Sequence, residues 1–371
     1  MTKPSTATTA WGTLPDGRPV SMVTLTNGDG LNGESITARI ITWGGILQSV
    51  ETPDANGKSA DISLGFPNLE GYLAHNEDPH FGVILGRVAN RIKGASFELD
   101  GATFKTPVNN GANTIHSGPG GFHAQLWTIE DTGADDSKAW LTLALTSPEG
   151  DMGFPGTVKV RATYTLTTKG ELAVRFVGET DKPTLLNMAT HAYWNLNGEG
   201  SGSAEPAQLR IDATRYAVMD EDCVPTGELA PVTGTPYDFT SFHTVGERLR
   251  SSLPQMYWAH GYDTSWEISG EWGRGKPVRR AATLYDPRSG RQLVVLTNAP
   301  AMQFYSCNWL NGAYVGPSGR TYRQTDGVAF EPGHYPDSIH RPEFPSVVLR
   351  PGETYDHTTV FRFSTGLPEG L

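Results

Sequence analysis

The segment TVKVRATYTLTTKGELAVRFV, residues 157–177, decides the fold class. Apolar and polar side chains alternate through its first half, which is the period of a strand that buries one face. Lys169-Gly170 interrupts the alternation, and a second apolar run follows. The segment therefore predicts two antiparallel strands joined by a tight turn. The apolar positions are Val158, Val160, Ala162, Tyr164, Leu166, Leu172, Val174 and Phe176.

Other short apolar runs predict further strands at 36–41, 140–145, 293–296 and 360–363. Asp100-Gly101, Asn56-Gly57 and Asn311-Gly312 are turn signals between such runs. Only 245–253 has a helical pattern longer than one turn, and no repeat of fixed period is present. The Gly- and Ser-rich stretch 198–203 is interpreted as a long loop because strands continue on both sides. We expect one large β-sandwich domain over 1–371, with 1–13 loosely ordered.

Composition excludes several classes of function. The 371 residues carry only 19% charged side chains, below the roughly 25% of average soluble domains, and include 43 Gly and 26 Pro. A net charge of -11 argues against nucleic acid and anionic membranes as partners. No stretch reaches the ~20 apolar residues of a spanning helix, and residues 1–10 lack the apolar core of a signal peptide. The prediction is a cytoplasmic protein with no membrane partner.

Metal, redox and nucleophile motifs are missing from the sequence. The 10 His form no HExxH pattern, and Cys223 and Cys307 form no CxxC pair, so both thiols are expected to be reduced and packed. No GxSxG elbow is present, and the glycine-dense stretch 118–121 lacks the Lys and Ser/Thr of a phosphate-binding loop. We therefore expect no metal and no cofactor.

A set of polar residues in aromatic, turn-rich surroundings remains. Sugar hydroxyls pair with Asn, Asp, Gln and Arg side chains, and sugar C–H faces lie against aromatic rings, so this mixture indicates a carbohydrate ligand. The candidate residues are Asn90, Arg91, His116, His191, Asp263, Gln303 and Glu331.

Six segments around these residues resemble, in the same order, the aldose 1-epimerase (galactose mutarotase) family. The resemblance runs over nearly the whole chain, which is more specific than any single block. The segments are GRVANRIKG (86–94), NTIHSGPGGFH (113–123), THAYWNL (190–196), GYDTSW (261–266), QFYSCNWLNG (303–312) and FEPGHYPDSIH (330–340).

The resemblance implies a large antiparallel β-sandwich that interconverts the α and β anomers of free aldoses without metal or cofactor. It implies that Glu331 is the general base, His191 the general acid and Asp263 the carboxylate that holds sugar hydroxyls. It also implies that Asn90, Arg91, His116 and Gln303 contact the substrate. The implied partner is a monosaccharide such as glucose, galactose or xylose, bound by a monomer or homodimer.

The reaction explains these residue types. Opening a pyranose hemiacetal removes the proton of the C1 hydroxyl and delivers one to the ring oxygen O5, so one base and one acid suffice. A carboxylate with an ordinary pKa of ~4.3 is ionised at neutral pH. An imidazole of ordinary pKa ~6.5 can stay protonated if a nearby carboxylate raises its pKa. Glu331 and His191 would fill these two roles.

Other interpretations stay open at this point. His191 could be a satisfied core histidine, Asp263 part of an Asx turn, and Arg91 a structural ion pair, although Arg87 suits that role better. Asn90 and Gln303 could satisfy backbone groups. Rival functions are a sugar-6-phosphate epimerase, a glycoside hydrolase that uses Asp263 and Glu331, and a sugar-binding module without catalysis.

Overall fold

The computed structural model describes residues 2–30 and 35–371. It has 45% strand and 7% helix, which confirms the all-β fold class. The first fifteen strands are β1 Ser5–Thr13, β2 Pro19–Thr26, β3 Thr37–Ile41, β4 Leu47–Pro53, β5 Ser59–Asp61, β6 Ile84–Leu85, β7 Arg91–Ile92, β8 Ser96–Leu99, β9 Ala102–Lys105, β10 Thr114–Ile115, β11 Thr128–Ala134, β12 Lys138–Ser147, β13 Val158–Thr167, β14 Glu171–Thr180 and β15 Thr184–Leu185.

The second half of the chain continues the same pattern of short strands. These are β16 Ala189–Thr190, β17 Tyr193–Trp194, β18 Gln208–Ile211, β19 Arg215–Met219, β20 Pro225–Pro231, β21 His243–Thr244, β22 Asp263–Glu267, β23 Arg279–Tyr285, β24 Arg291–Thr297, β25 Ala301–Tyr305, β26 Asn311–Val315, β27 Thr321–Arg323, β28 Val328–Gly333, β29 Val348–Leu349 and β30 Tyr355–Thr365. The helices are α1 Leu69–His75 and α2 Pro254–Trp258, and single 3-10 turns lie at Lys93–Ala95, Phe122–Ala124, Asp151–Gly153 and Ser338–His340.

A nine-stranded antiparallel sheet has the order β11-β12-β13-β14-β30-β24-β23-β18-β21. The predicted hairpin lies within it as β13 and β14, and the alternating apolar side chains from Val158 to Phe176 are all buried. Gly170 closes the hairpin with φ +74, a left-handed conformation that favours glycine. The predicted strands at 36–41, 140–145, 293–296 and 360–363 correspond to β3, β12, β24 and β30, and 198–203 is a loop.

A six-stranded sheet, β17-β28-β25-β22-β19-β20, shares an apolar core with the nine-stranded sheet. Trp194 of β17 is fully buried, and its ring lies 5.0 Å from Phe361 of β30. In the same core, the ring centroids of Phe304 in β25 and Phe330 in β28 lie 5.2 Å apart. Because one face of the six-stranded sheet is apolar and covered, its opposite face is free to carry polar side chains.

A five-stranded sheet, β1 to β5, contains the beginning of the chain. The expectation of a loosely ordered segment over 1–13 is wrong for the described residues, because Ser5–Thr13 pairs with Pro19–Thr26 as strand β1. The small and polar side chains that dominate STATTAWGT suit an edge strand that stays largely exposed, and backbone hydrogen bonds order the strand despite its weak apolar pattern.

Two further local predictions, the helix at 245–253 and the turn at Asn311-Gly312, are wrong, and one helix was not predicted. Residues 245–253 form turns, and the helix begins at Pro254, where the missing proline N–H would lack a helical partner in any case. Helix α1 was not predicted, although Asn68 accepts a hydrogen bond from the Gly71 N–H as an N-cap residue. Asn311-Gly312 begins strand β26 and does not separate two strands.

Both cysteines are free and buried, as expected. Across 2–30 and 35–371, none of the helices has the length and apolar character needed to cross a membrane.

Candidate active site

Six of the seven sequence-predicted residues line one cavity of about 800 Å³. They come from distant parts of the chain, and Gln303 is the seventh, which does not line it. The complete lining is Glu77, Asp78, Pro79, His80, Asn90, Arg91, Asn109, Asn110, Ile115, His116, His191, Tyr193, Asp263, Tyr305, Trp309, Leu310, Asn311 and Glu331.

Strand register brings His191 and Glu331 together. Tyr193 of β17 pairs with Ala329 of β28, so continuing the antiparallel register by two residues places His191 opposite Glu331. Nε2 of His191 lies 3.6 Å from Oε1 of Glu331, just outside hydrogen-bond distance. Both side chains are buried, and Tyr193 stacks on the His191 ring at 4.8 Å.

The same sheet places Gln303 and Asp263 on the other side of Glu331. Gln303 of β25 pairs directly with Glu331, and Ser265 of β22 pairs with Gln303. The Gln303 amide donates to Oδ1 of Asp263 at 2.6 Å, while the Ser265 hydroxyl donates to the Gln303 carbonyl oxygen at 2.5 Å. Gln303 therefore holds Asp263 through a hydrogen bond, and the direct substrate contact that the resemblance implied for Gln303 stays a prediction.

Arg91 brings a positive charge to this group of carboxylates. Its guanidinium lies 3.8 Å from Oδ2 of Asp263 and donates to Oδ1 of Asn110 at 2.9 Å. Asn90 is buried beside it, and the Asn90 backbone N–H donates to Nδ1 of His116 at 3.1 Å. Asn90 and His116 both have left-handed backbone conformations, with φ +64 and +51. Residues other than glycine adopt this conformation at a cost in free energy.

Arg87 anchors the segment that carries Asn90 and Arg91. Its buried guanidinium donates to the carbonyl oxygens of Ser147, Pro148 and Pro155 and to the hydroxyl of Ser147. The expected structural role of Arg87 is present, but among the described residues its hydrogen bonds go to carbonyl and hydroxyl oxygens in place of a carboxylate. Carbonyl oxygens suffice because a guanidinium has five donors arranged in a plane.

Burial changes the proton affinities of the candidate acid and base. Burial, with a smaller contribution from the Asp263 charge, raises the pKa of Glu331 to about 8. Burial, together with the charge of His80, lowers the pKa of His191 to about 3. At neutral pH these two shifts favour one proton on the pair, with Glu331 as the carboxylic acid and His191 as the neutral imidazole. This corrects the expected upward shift of the His191 pKa, because desolvation outweighs the attraction of the carboxylate.

Packing adds a residue that the sequence analysis missed. His80 is buried and lines the cavity, with its ring 4.7 Å from His116, 4.8 Å from His123 and 6.1 Å from His191. No motif surrounds His80, so only the tertiary contacts reveal it. His123, His334 and His340 do not line the cavity. Within 2–30 and 35–371, no three His, Cys, Asp or Glu side chains are arranged to hold a metal ion.

Comparison with known proteins identifies relatives across almost the entire chain. The family model for aldose 1-epimerase matches residues 23–362. Galactose mutarotase of Bos taurus is 38% identical over 336 residues, which cover 90% of this chain and 93% of the relative. Aldose 1-epimerase of Escherichia coli strain K12 is 34% identical over 353 residues, which cover 94% of this chain and 96% of the relative.

Solved structures show the same fold. Galactose 1-epimerase from Lactobacillus acidophilus superposes with a TM-score of 0.84 at 26% identity, covering 99% of this chain and 100% of the other. An aldose epimerase homologue from C. elegans superposes with a TM-score of 0.79 at 28% identity, covering 90% and 96%. The family match and the identity to curated relatives establish that this chain belongs to the aldose 1-epimerase family.

Proposed function

We propose that this protein is a mutarotase that interconverts the α and β anomers of free aldoses, with galactose among its substrates. The family supports the isomerase activity, and the single observation that carries the residue assignment is the His191–Glu331 pair, 3.6 Å apart in the cavity. Glucose and xylose as further substrates, a cytoplasmic location and a monomeric or homodimeric state stay predictions.

In this mechanism, the Glu331 carboxylate removes the proton of the anomeric hydroxyl. The C1–O1 bond becomes a carbonyl as the C1–O5 bond breaks, and O5 takes a proton from Nε2 of His191. A half-turn about the C1–C2 bond presents the other face of the aldehyde to the C5 hydroxyl. Both proton transfers then reverse, so the enzyme ends with the protons it started with.

The resting proton distribution is compatible with these roles. A carboxylic acid beside an imidazole and a carboxylate beside an imidazolium contain the same number of protons and differ by one transfer. A sugar hydroxyl that donates to Glu331 stabilises its carboxylate form, so substrate binding favours moving the proton to His191. The remaining polar residues would hold the sugar: Asp263, Arg91, Asn90 and His116 through its hydroxyls, and Gln303 by orienting Asp263.

A phosphorylated sugar is disfavoured by the charges of the cavity. Its described lining contains the carboxylates Glu77, Asp78 and Asp263 and the protonated Glu331, against one guanidinium, that of Arg91. The basic residues Arg279 and Arg280 do not compensate, since Arg280 pairs with Asp212 and neither lines the cavity. A phosphate dianion would meet net repulsion there.

Polarimetry of freshly dissolved α-D-galactose, α-D-glucose and α-D-xylose tests the proposal. We expect the purified protein, dialysed against a chelator, to accelerate anomerisation of galactose above the buffer blank. Failure to accelerate any of the three sugars would overturn it. Release of chromophore from nitrophenyl glycosides would support the hydrolase, and saturable sugar binding without acceleration would support a binding module.

A further inference from the structure

His80 lines the cavity and has a ring nitrogen that can accept a hydrogen bond. It follows α1 in a turn with a left-handed backbone, φ +54, in which its N–H donates to the Asn76 carbonyl. Nδ1 of its ring lies 3.1 Å from the backbone carbonyl oxygen of Asp78. A carbonyl can only accept, so Nδ1 carries the hydrogen. In the neutral ring, Nε2 is therefore left with a lone pair.

His116 has the opposite tautomer. Its Nδ1 accepts the backbone N–H of Asn90, so its neutral ring carries the hydrogen on Nε2. Both rings line the cavity, and no residue of 2–30 or 35–371 hydrogen-bonds to either Nε2 atom. Burial lowers the pKa of His80 to about 4 and that of His116 well below its ordinary value, so both rings are neutral near pH 7.

The two rings lie 4.7 Å apart and are inclined at 55°. One offers an acceptor and the other a donor, and a single hydroxyl group can donate to the first and accept from the second. We propose that His80 and His116 together bind one non-anomeric hydroxyl of the sugar, which makes His80 a substrate-specificity residue. This inference rests on the proposed function, in which the anomeric hydroxyl is already engaged by Glu331.

Replacing His80 with an aromatic residue that has no ring nitrogen tests this pairing. His80→Phe keeps an aromatic ring in the cluster but removes the acceptor. On galactose we expect kcat/KM to fall about tenfold or more, because a buried sugar hydroxyl loses its hydrogen-bond acceptor. His75→Phe is a matched control, since His75 is exposed at the end of α1 and outside the cavity lining, and it should leave kcat/KM unchanged.

The decisive comparison uses 2-, 3-, 4- and 6-deoxygalactose beside galactose. If His80 binds one hydroxyl, the fall in kcat/KM caused by His80→Phe should disappear for the one deoxy sugar that lacks this hydroxyl. The fall should persist for the other three deoxy sugars. His80→Ala gives the same comparison if the Phe variant does not fold.

An equal loss on all five sugars would mean that His80 acts through structure alone and would overturn the inference. Wild-type anomerisation of galactose is measured first. A wild-type protein without activity would refute the proposed function, whereas an active wild type with an equal loss on every sugar would refute only the role of His80.

Discussion

Nε2 of His191, two residues before β17, lies 3.6 Å from Oε1 of Glu331 within β28. Separate backbone contacts hold the two residues: His191 exchanges hydrogen bonds with Gly82 and Val83, and Glu331 pairs with Gln303 of β25. The proposed acid and base are therefore preorganised by the backbone, and little reorganisation remains for the proposed reaction.

Replacing Glu331 with Gln should remove the base while keeping the volume of the side chain. We expect kcat to fall about 10²- to 10⁴-fold, the usual contribution of a general base, with sugar affinity changed only a few-fold. Polarimetric rates and calorimetric binding of galactose measure the two quantities. Glu98→Gln, on an exposed position of β8, is the control and should behave as wild type. Wild-type rates in Glu331→Gln would show that another group is the base.

The pH profile should reflect the single proton of the His191–Glu331 pair. As pH rises through about 8, the pKa of Glu331, the pair loses this proton and has none to give O5, so kcat/KM should fall. As pH falls toward about 3, the pKa of His191, the pair gains a second proton and the base is lost. Initial rates corrected for the blank at each pH check this, and a rate that keeps rising up to pH 10 would contradict it.

Gln303→Met should weaken sugar binding without removing either catalytic group. The variant loses the amide that donates to Asp263 at 2.6 Å, so the Asp263 carboxylate is no longer held toward the cavity. A hydrogen bond to a charged group contributes about 1.5–3 kcal/mol, so we expect KM to rise about tenfold and kcat to change less. Gln292→Met in β24 removes an equivalent side chain outside the cavity and should leave KM unchanged. A KM within twofold of wild type would refute the positioning role of Gln303.

Arg87→Met should destabilise the fold. The substitution leaves the carbonyl oxygens of Ser147, Pro148 and Pro155 without their buried donor. We expect the free energy of unfolding to fall by about 3–5 kcal/mol, measured by urea denaturation. Arg161→Met, which breaks an exposed ion pair with Glu130, should cost less than about 1 kcal/mol. Equal losses in the two variants would show that the Arg87 hydrogen bonds add little.

Local patterns predicted the parts of the fold that depend on neighbours in sequence. The alternation from Val158 to Leu166 determines which face of β13 is buried, because successive side chains of a strand point in opposite directions. The helix predicted at 245–253 fails because its three apolar residues, Val245, Leu249 and Leu253, are too few to determine a helix, and strand β21 and Pro254 decide the local path. Strand β1 was not predicted because its own apolar pattern is weak, and pairing with β2 is what makes it a strand.

By itself, the sequence determined the all-β class, the aldose 1-epimerase family and seven candidate site residues, because strand periodicity and ordered motifs depend on residues that are close together in sequence. Tertiary structure alone decided that Gln303 lies behind Asp263, that His80 joins the cavity, and that burial leaves the resting proton on Glu331. Register between strands far apart in sequence sets these distances, and desolvation depends on every group that surrounds a side chain.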